Sequence, residues 1–418
     1  MGWPLMGWQH GLAPLIVTAA ACGPILGIGD LVFDRDGAGG VGGTSSDGGA
    51  STNGGAGPGG GDLGGGGAGG GAGGGTTAVP VTVAGDNPMV IEVAGRFRLE
   101  LTDRTRFHID KWFDLAVDAS RDLAGTPDFL GYTEALYAPW ALRVGPTWFV
   151  LDDAVLDNVT VVATGPARVG VLSQLEWAPP GSGLISTTLH YVYASGRIGM
   201  QGFLQNQSGG DVTLGTEKHH VTVSGDGTWG VVTPTADSLI FSRSDSPSAV
   251  LVQQEAGGTL GQDSTVNRFW SLGDVAIPDG GSLRAAAEMV LAPPGASDTD
   301  LVVWQGDLEN KSATATGAAI EYDRSQAAFR VTCDVGASAV TVTLDTQRPR
   351  RSPAIVFDGW MNADWQIRRG NEVLVASDAL VGTDAVAQYD ATLEQVVLVY
   401  LPVVATGDPE PSFTLEAK

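Results

Sequence analysis

The stretch KHHVTVS, residues 218–224, sets two imidazoles side by side at His219 and His220, and TTLHYVYASGRI, residues 187–198, adds His190, Tyr193 and Arg197. Histidine and tyrosine can carry protons between a substrate and solvent, and a guanidinium neutralises a carboxylate. These residue types suit proton abstraction beside a carboxylate followed by loss of a leaving group, the chemistry of β-elimination from a uronic-acid polymer. His220, Tyr193 and His190 are the expected proton carriers. Sugar rings are held by aromatic faces with carboxylates, amides and guanidinium groups around the edge. Trp112 in KWFDLAV, Arg197 beside the Ala194-Ser195-Gly196 turn, Arg268 and Trp270 in NRFWSL, and Glu288 in SLRAAAEMVL are the expected ligand-binding residues. Glu288 shares a face with Arg284, so an ion-paired surface carboxylate is its plain alternative.

These side chains must be positioned by strands. From about Val79 the apolar residues recur with period 2, as in RFRLELT, where Phe97, Leu99 and Leu101 alternate with Arg96, Arg98 and Glu100. NVTVVAT, SAVLVQQ, AAFRVTCDV and AVTVTLDT continue the pattern in β-branched runs. The fold class is all-β: a large antiparallel sandwich followed by a smaller C-terminal one. Only YTEALYAPWALRV, Tyr132 to Val144, and DASRDLAG read as helical or irregular. Residues 187–204 read as a hairpin turning at Ala194-Ser195-Gly196.

Adjacent side chains on a strand point to opposite faces. His219 then shares a face with Val221 and Val223, while His220 shares the other with Lys218 and Thr222. The two imidazoles cannot meet one substrate unless a bulge falls between them. His219 reads as a core residue. His220 is the better site candidate, with a solvated polar face as its plain alternative. In KWFDLAV the same alternation turns Phe113, Leu115 and Val117 inward and leaves Trp112 outward. In FDGWMNADWQIRRG, Trp360 and Trp365 flank an Asn and an Asp.

Composition narrows the classes. The chain has 418 residues and a formal net charge of −24, which repels phosphate backbones, so nucleic-acid binding is not expected. Glycine supplies 23 of the 39 residues from Gly37 to Gly75, a composition unable to form a core. The expected organisation is a signal over 1–22, a Gly-rich tether over 23–78, a large sandwich over 79–295 and a smaller one over 296–418. The second boundary rests on LAPPGASDTD, where prolines, glycine and polar residues interrupt the strands. No G-x-S-x-G, H-E-x-x-H, P-loop or C-x-x-C motif occurs, so the usual serine hydrolase, zinc protease, nucleotide hydrolase and thiol redox classes fall away. The carboxylate groups Asp118, Asp122, Asp128 and Asp152, Asp153, Asp157 could supply oxygen ligands to Ca²⁺ but lack the spacing of a Ca²⁺-binding loop; no other cofactor is expected. Cys333 reads as a buried free thiol.

The apolar run LAPLIVTAAACG resembles the end of a bacterial lipoprotein signal, with Cys22 as the lipidated residue, although Ala19 stands where Leu is usual and no Lys or Arg precedes the run. A plain cleaved signal and a misplaced start codon remain alternatives. With its Gly-rich tether the N-terminus resembles exported lipoproteins of myxobacteria. The run TTLHYVYASGRIGMQGFLQNQS carries a Y-x-Y-x-x-G-R-I strand–turn–strand, and WSLGDVAIPDGGSLRAAAEMVLAP follows it. Both resemble strands of galactose-mutarotase-like supersandwiches, a fold of aldose epimerases and of accessory domains in polysaccharide lyases and hydrolases. The resemblance implies that fold and a carbohydrate ligand; it transfers no catalytic residue. The expectation is an exported, lipid-anchored, monomeric surface protein that binds or processes a carbohydrate. The alternative is a non-catalytic adhesion scaffold, and convergence of His190, His220, Arg197 and Trp270 in one cleft would decide between them.

Overall fold

Alternation of buried and half-buried residues governs the strands, as in Phe97–Leu101, where Phe97, Leu99 and Leu101 point inward. A computed structural model describes residues 78–120, 122–123, 137–177, 183–223, 229–231, 234–246, 248–262, 267–292, 296–309 and 311–418. The expected signal with Cys22 and the tether up to residue 77 lie outside the described residues, as do Asp128 and residues 132–136.

An eight-stranded antiparallel sheet forms the centre. Its order is Trp229–Val231, Ser238–Arg243, Ala249–Gln254, Ser282–Leu291, Arg197–Asn206, Leu184–Tyr193, Arg168–Trp177 and Val155–Ala163. The expected hairpin is there, with Gly196 taking a φ of +81° that its lack of a Cβ permits. A five-stranded sheet, in the order Thr259–Gln262, Asn267–Ile277, Val212–Thr222, Tyr137–Val144 and Thr147–Phe149, packs on one face. Trp140, Leu142, Trp177, Leu184, Leu204 and Leu214 make the core between them. A four-stranded sheet runs in chain order through Thr82–Ala84, Met89–Val93, Phe97–Leu101 and Ile109–Asp114.

Tyr137–Val144 corrects the helical reading of its segment. Its side chains are buried on both faces, a pattern in which period 2 disappears from the sequence. The helix lies instead at Asp298–Glu309. Ser297 Oγ accepts from Asp300 N at 3.3 Å while Asp300 Oδ2 accepts from Ser297 N at 2.9 Å, a reciprocal N-terminal cap. Leu301 and Leu308 of this helix pack on Ile240, Leu251 and Val290 of the eight-stranded sheet.

The C-terminal strands form two five-stranded sheets. One runs Ala313–Thr316, Ala339–Leu344, Ser412–Ala417, Trp365–Arg369 and Glu372–Ala376. The other runs Ala318–Asp323, Ala328–Cys333, Ala354–Asp358, Gln395–Tyr400 and Ala385–Asp390, with Ala328–Cys333 and Ala354–Asp358 parallel. Trp360, Trp365 and the free thiol of Cys333 belong to the core between these sheets. Burial first, then Asp358 and Asp334, pushes the Cys333 thiol up to about 11.

Because side chains alternate, the eight-stranded sheet meets two different partners. Residues such as Leu184 and Leu204 face the five-stranded sheet. Arg168, Arg197, Gly199 and Glu288 face the C-terminal sandwich: Arg168 donates to Gln326 and Gln395 at 3.2 and 2.9 Å. At Gly199 the two halves touch backbone to backbone. A Cβ there would lie 2.6 Å from Ser325 O and 2.8 Å from Ala327 N. Gly199→Ala should therefore lower the urea midpoint by the equivalent of about 1–3 kcal/mol, the cost of overpacking a rigid contact. An unchanged midpoint would mean that the 323–327 turn is not packed this closely.

Candidate functional site

The expected site residues fall in separate places rather than in one cleft. His190 and Trp270 lie inside the larger sandwich with His108, Tyr137 and His219, all buried. The Tyr137 hydroxyl and His219 Nδ1 are 2.6 Å apart, and the His190 ring is 5.5 Å from His108 and 6.1 Å from Tyr137. His219 sits at φ +54°, where a bulge shifts the pairing of Val212–Thr222 against Asn267–Ile277. Despite that bulge, His219 stays in the core beside Trp270, at 6.1 Å, and His220 does not join it. Burial lowers His108 to about 4, against two backbone hydrogen bonds that favour its proton. Burial also holds His190 and His219 well below the usual range, His190 being further disfavoured by His108. These rings are neutral and out of contact with solvent.

Trp112 and Trp270 are 0% exposed, so the expectation that they stack outward on a sugar is corrected. Trp112 stands opposite Leu99, itself a core position, and cross-strand partners share a face. Phe113, expected inward, is buried as well, on the other face, where the Arg98 guanidinium covers its ring at 4.3 Å. Trp270 donates its indole N–H to Ala236 O at 2.7 Å.

Tyr193, Arg197 and Glu288 occupy the opposite face of the eight-stranded sheet, beneath the C-terminal sandwich. The Tyr193 hydroxyl is pushed up to about 12 by burial, against the opposing pull of Arg168. Arg197 and Glu288 form a buried ion pair, not a surface one. Tyr322 donates to Glu288 Oε2 at 2.6 Å, and Arg324 Nη1 lies 3.6 Å from the same oxygen. The buried Asp307 receives Arg197 at 3.4 Å, Lys311 at 3.1 Å and Arg350 at 3.2 Å. Burial opposes the charge of Asp307, but Lys311 and Arg197 outweigh it and hold its carboxyl below the usual range. Sequence reasoning missed Asp307, Lys311, Tyr322 and Arg350: Tyr322, Arg350 and the Arg197 contact of Asp307 depend on distant partners, while the Asp307–Lys311 pair is four residues apart and was passed over because the 298–309 helix was not read.

His220 lies on the outer face of the five-stranded sheet. Its ring stacks on Phe269 with centroids 5.0 Å apart, and its Nε2 is 3.0 Å from Glu217 Oε2. Arg268 lines an open cavity of about 320 Å³ with Gln262, Leu260, Gly261, Val231 and Pro234. Of the expected residues, Arg268 is the one set in a cleft large enough for a small ligand.

The carboxylates weighed for Ca²⁺ serve local hydrogen bonds. Asp122 accepts from Trp112 N at 3.0 Å, Asp153 from Val150 N at 2.9 Å and Asp157 from Gln174 Nε2 at 2.6 Å. Among the described residues no group of three or more His, Cys, Asp or Glu could hold a metal ion. No helix among the described residues is long and apolar enough to cross a membrane.

No protein-family model matches the chain, and no curated protein matches it in sequence. Among solved structures, a candidate aldose 1-epimerase from Klebsiella pneumoniae is similar over 53% of this chain and 83% of its own, with 8% identity and a TM-score of 0.41. A heparan sulfate lyase from Pedobacter heparinus aligns with 63% of this chain and 39% of its own, at 11% identity and a TM-score of 0.34. A polysaccharide lyase aligns with 81% of this chain and 46% of its own, at 10% identity and a TM-score of 0.33. This chain therefore spans less than half the length of either lyase. Likenesses this loose leave the ligand and any activity to be argued from the residues themselves.

The buried histidines give the molecule an acid limit. In the unfolded chain each takes up a proton near 6.5, whereas the folded chain holds all three lower. Stability from keeping them neutral is full above about pH 6.5 and is lost as pH falls toward 4, by at most about 1.4 kcal/mol per histidine per pH unit. The urea midpoint should drop steeply from pH 6.5 to 4.5, and His190→Phe should flatten that slope by about one proton. A midpoint independent of pH over this range would show that the three rings are hydrated.

Proposed function

We propose that this chain is an exported, non-catalytic protein of β-sandwich modules, held at the cell surface through Cys22. The observation that carries this reading is the scatter of the expected site: His190 and Trp270 lie in one core, Tyr193, Arg197 and Glu288 under the C-terminal sandwich, and His220 on an outer face. Acid–base chemistry on a polymer needs two titratable groups within reach of one bond. His190 and Tyr193 are buried on opposite faces of the same sheet, which speaks against their sharing one large substrate. The export half of the proposal rests on the lipobox-like run before Cys22. Feeding cells a radiolabelled fatty acid should label the wild-type protein and not Cys22→Ala; equal labelling of both would remove the anchor.

A second reading, carbohydrate binding without turnover, is favoured by the cleft at Arg268. Arg268 and Gln262 line it together with Leu260 and Pro234, a combination of guanidinium, amide and apolar surface suited to one carboxylated sugar. Retention of the full chain on acidic and neutral polysaccharides tests it, with ultraviolet absorbance of unsaturated uronate ends followed in parallel. The expected result is retention on acidic polymers that falls at least tenfold in Arg268→Ala, with no new absorbance. Absorbance would overturn the non-catalytic assignment. No retention on any polymer would leave the scaffold reading alone.

A further inference from the structure

Among the described residues Trp148 is the only exposed large aromatic side chain, 41% exposed on Thr147–Phe149, an edge strand of the five-stranded sheet. A tryptophan left there forfeits the burial of a large apolar surface and invites edge-to-edge association, which sets it apart from scattered surface valines. It is also held in place. Backbone pairing puts Trp148, Arg143, Gly215 and Asp274 in one row across four neighbouring strands, and partners in a row share a face. The adjacent residues Leu142, Phe149 and Leu214 pack in the core, so the row lies on the outer face. The Arg143 guanidinium lies 5.3 Å from the Trp148 ring and donates to Asp274 at 3.3 Å on its other side. A Cβ at Gly215 would come 2.8 Å from Arg143 Nε, so the glycine is what lets this side chain lie flat across the sheet.

The next row on that face is Ala141, Glu217, Ser271 and Thr259, small or hydroxylated apart from Glu217. The face therefore presents an exposed ring, a guanidinium already laid flat, hydroxyls and the carboxylate of Asp274. A pyranose has the matching surfaces: axial C–H groups that pack on an aromatic ring, and a rim of hydroxyls that bond to guanidinium and carboxylate. Arg143 is already paired with Asp274, and Glu217 adds a second carboxylate, so the two rows hold no surplus positive charge to attract a uronate or sulfated chain. From Trp148 to Asp274 the row spans three strand spacings, about 14 Å, enough for two or three sugar rings. We propose that the outer face of the five-stranded sheet is a binding platform for a neutral oligosaccharide, with Trp148 stacking on one ring and Arg143 and Asp274 bonding the hydroxyls of its neighbours. None of these three residues lines the Arg268 cleft, so the platform goes beyond that reading and stands without it.

Native gels cast with a soluble neutral polysaccharide test this on the full chain, with mixed-linkage β-glucan, galactomannan and dextran as the probes. At least one of the three should retard the wild-type chain. Trp148→Ala should raise the apparent dissociation constant for that polymer at least tenfold at an unchanged Tm, because an exposed edge residue carries little of the fold. Trp148→Phe keeps an aromatic face and should retain most of the retardation. Arg268→Ala should leave it unchanged. Retardation by none of the three, or retardation as strong in Trp148→Ala as in the wild type, would overturn the platform. Retention on acidic polymers alone, lost in Arg268→Ala, would support the cleft and sink the platform.

Discussion

The eight-stranded sheet is buried on both of its faces through much of its width, and that constraint organises the molecule. A strand whose two faces both meet protein sends each successive side chain into a different environment. His190 enters an aromatic core shared with the five-stranded sheet, while Tyr191 and Tyr193 enter a polar one shared with the C-terminal sandwich. Arg168 bridges this second environment, its guanidinium 4.3 Å above the Tyr191 ring and bonded to Gln326 and Gln395. One residue of register thus separates a dry neutral cluster from a charged seam.

The two interiors solve the burial of polar groups differently. The histidine cluster gives up charge, since burial favours the neutral rings; Tyr137 meets His219 at 2.6 Å and Thr188 meets His108 at 3.3 Å, while neither nitrogen of His190 has a hydrogen-bond partner among the described residues. The seam retains charge and must balance it pair by pair, through Arg197 with Glu288 and through three cations on Asp307. Breaking one such buried pair by truncating a partner typically costs about 3–5 kcal/mol, because the survivor is left uncompensated. The seam is accordingly better at fixing one docking geometry than at adding net stability.

How much of this was legible in the sequence follows from the range of each interaction. Period-2 alternation marked Phe97–Leu101 and a hairpin over 187–204, and adjacent-residue logic placed His219 inward and His220 outward; all of these depend on neighbours in the chain. Tyr137–Val144 was misread because burial on both faces erases the alternation. Trp112 was misread because its face is set by pairing with Leu99. The Ser297 cap was hidden in a polar cluster that looked like an interruption. The seam was wholly invisible: Arg197 finds Asp307 across 110 residues and Arg351 across 154, distances over which no local pattern operates.

The backbone contact at Gly199 and the counter-charges beyond it bear on how such a chain can be inherited. Sandwich domains are commonly exchanged by recombination when a linker and a small wet interface separate them. Here the C-terminal half supplies Asp307, Tyr322 and three glutamines, Gln326, Gln388 and Gln395, as additional partners to Arg168, Arg197 and Glu288, buried groups of the larger half. A foreign domain spliced after residue 296 would meet unanswered guanidinium and carboxylate groups and a turn of the wrong shape.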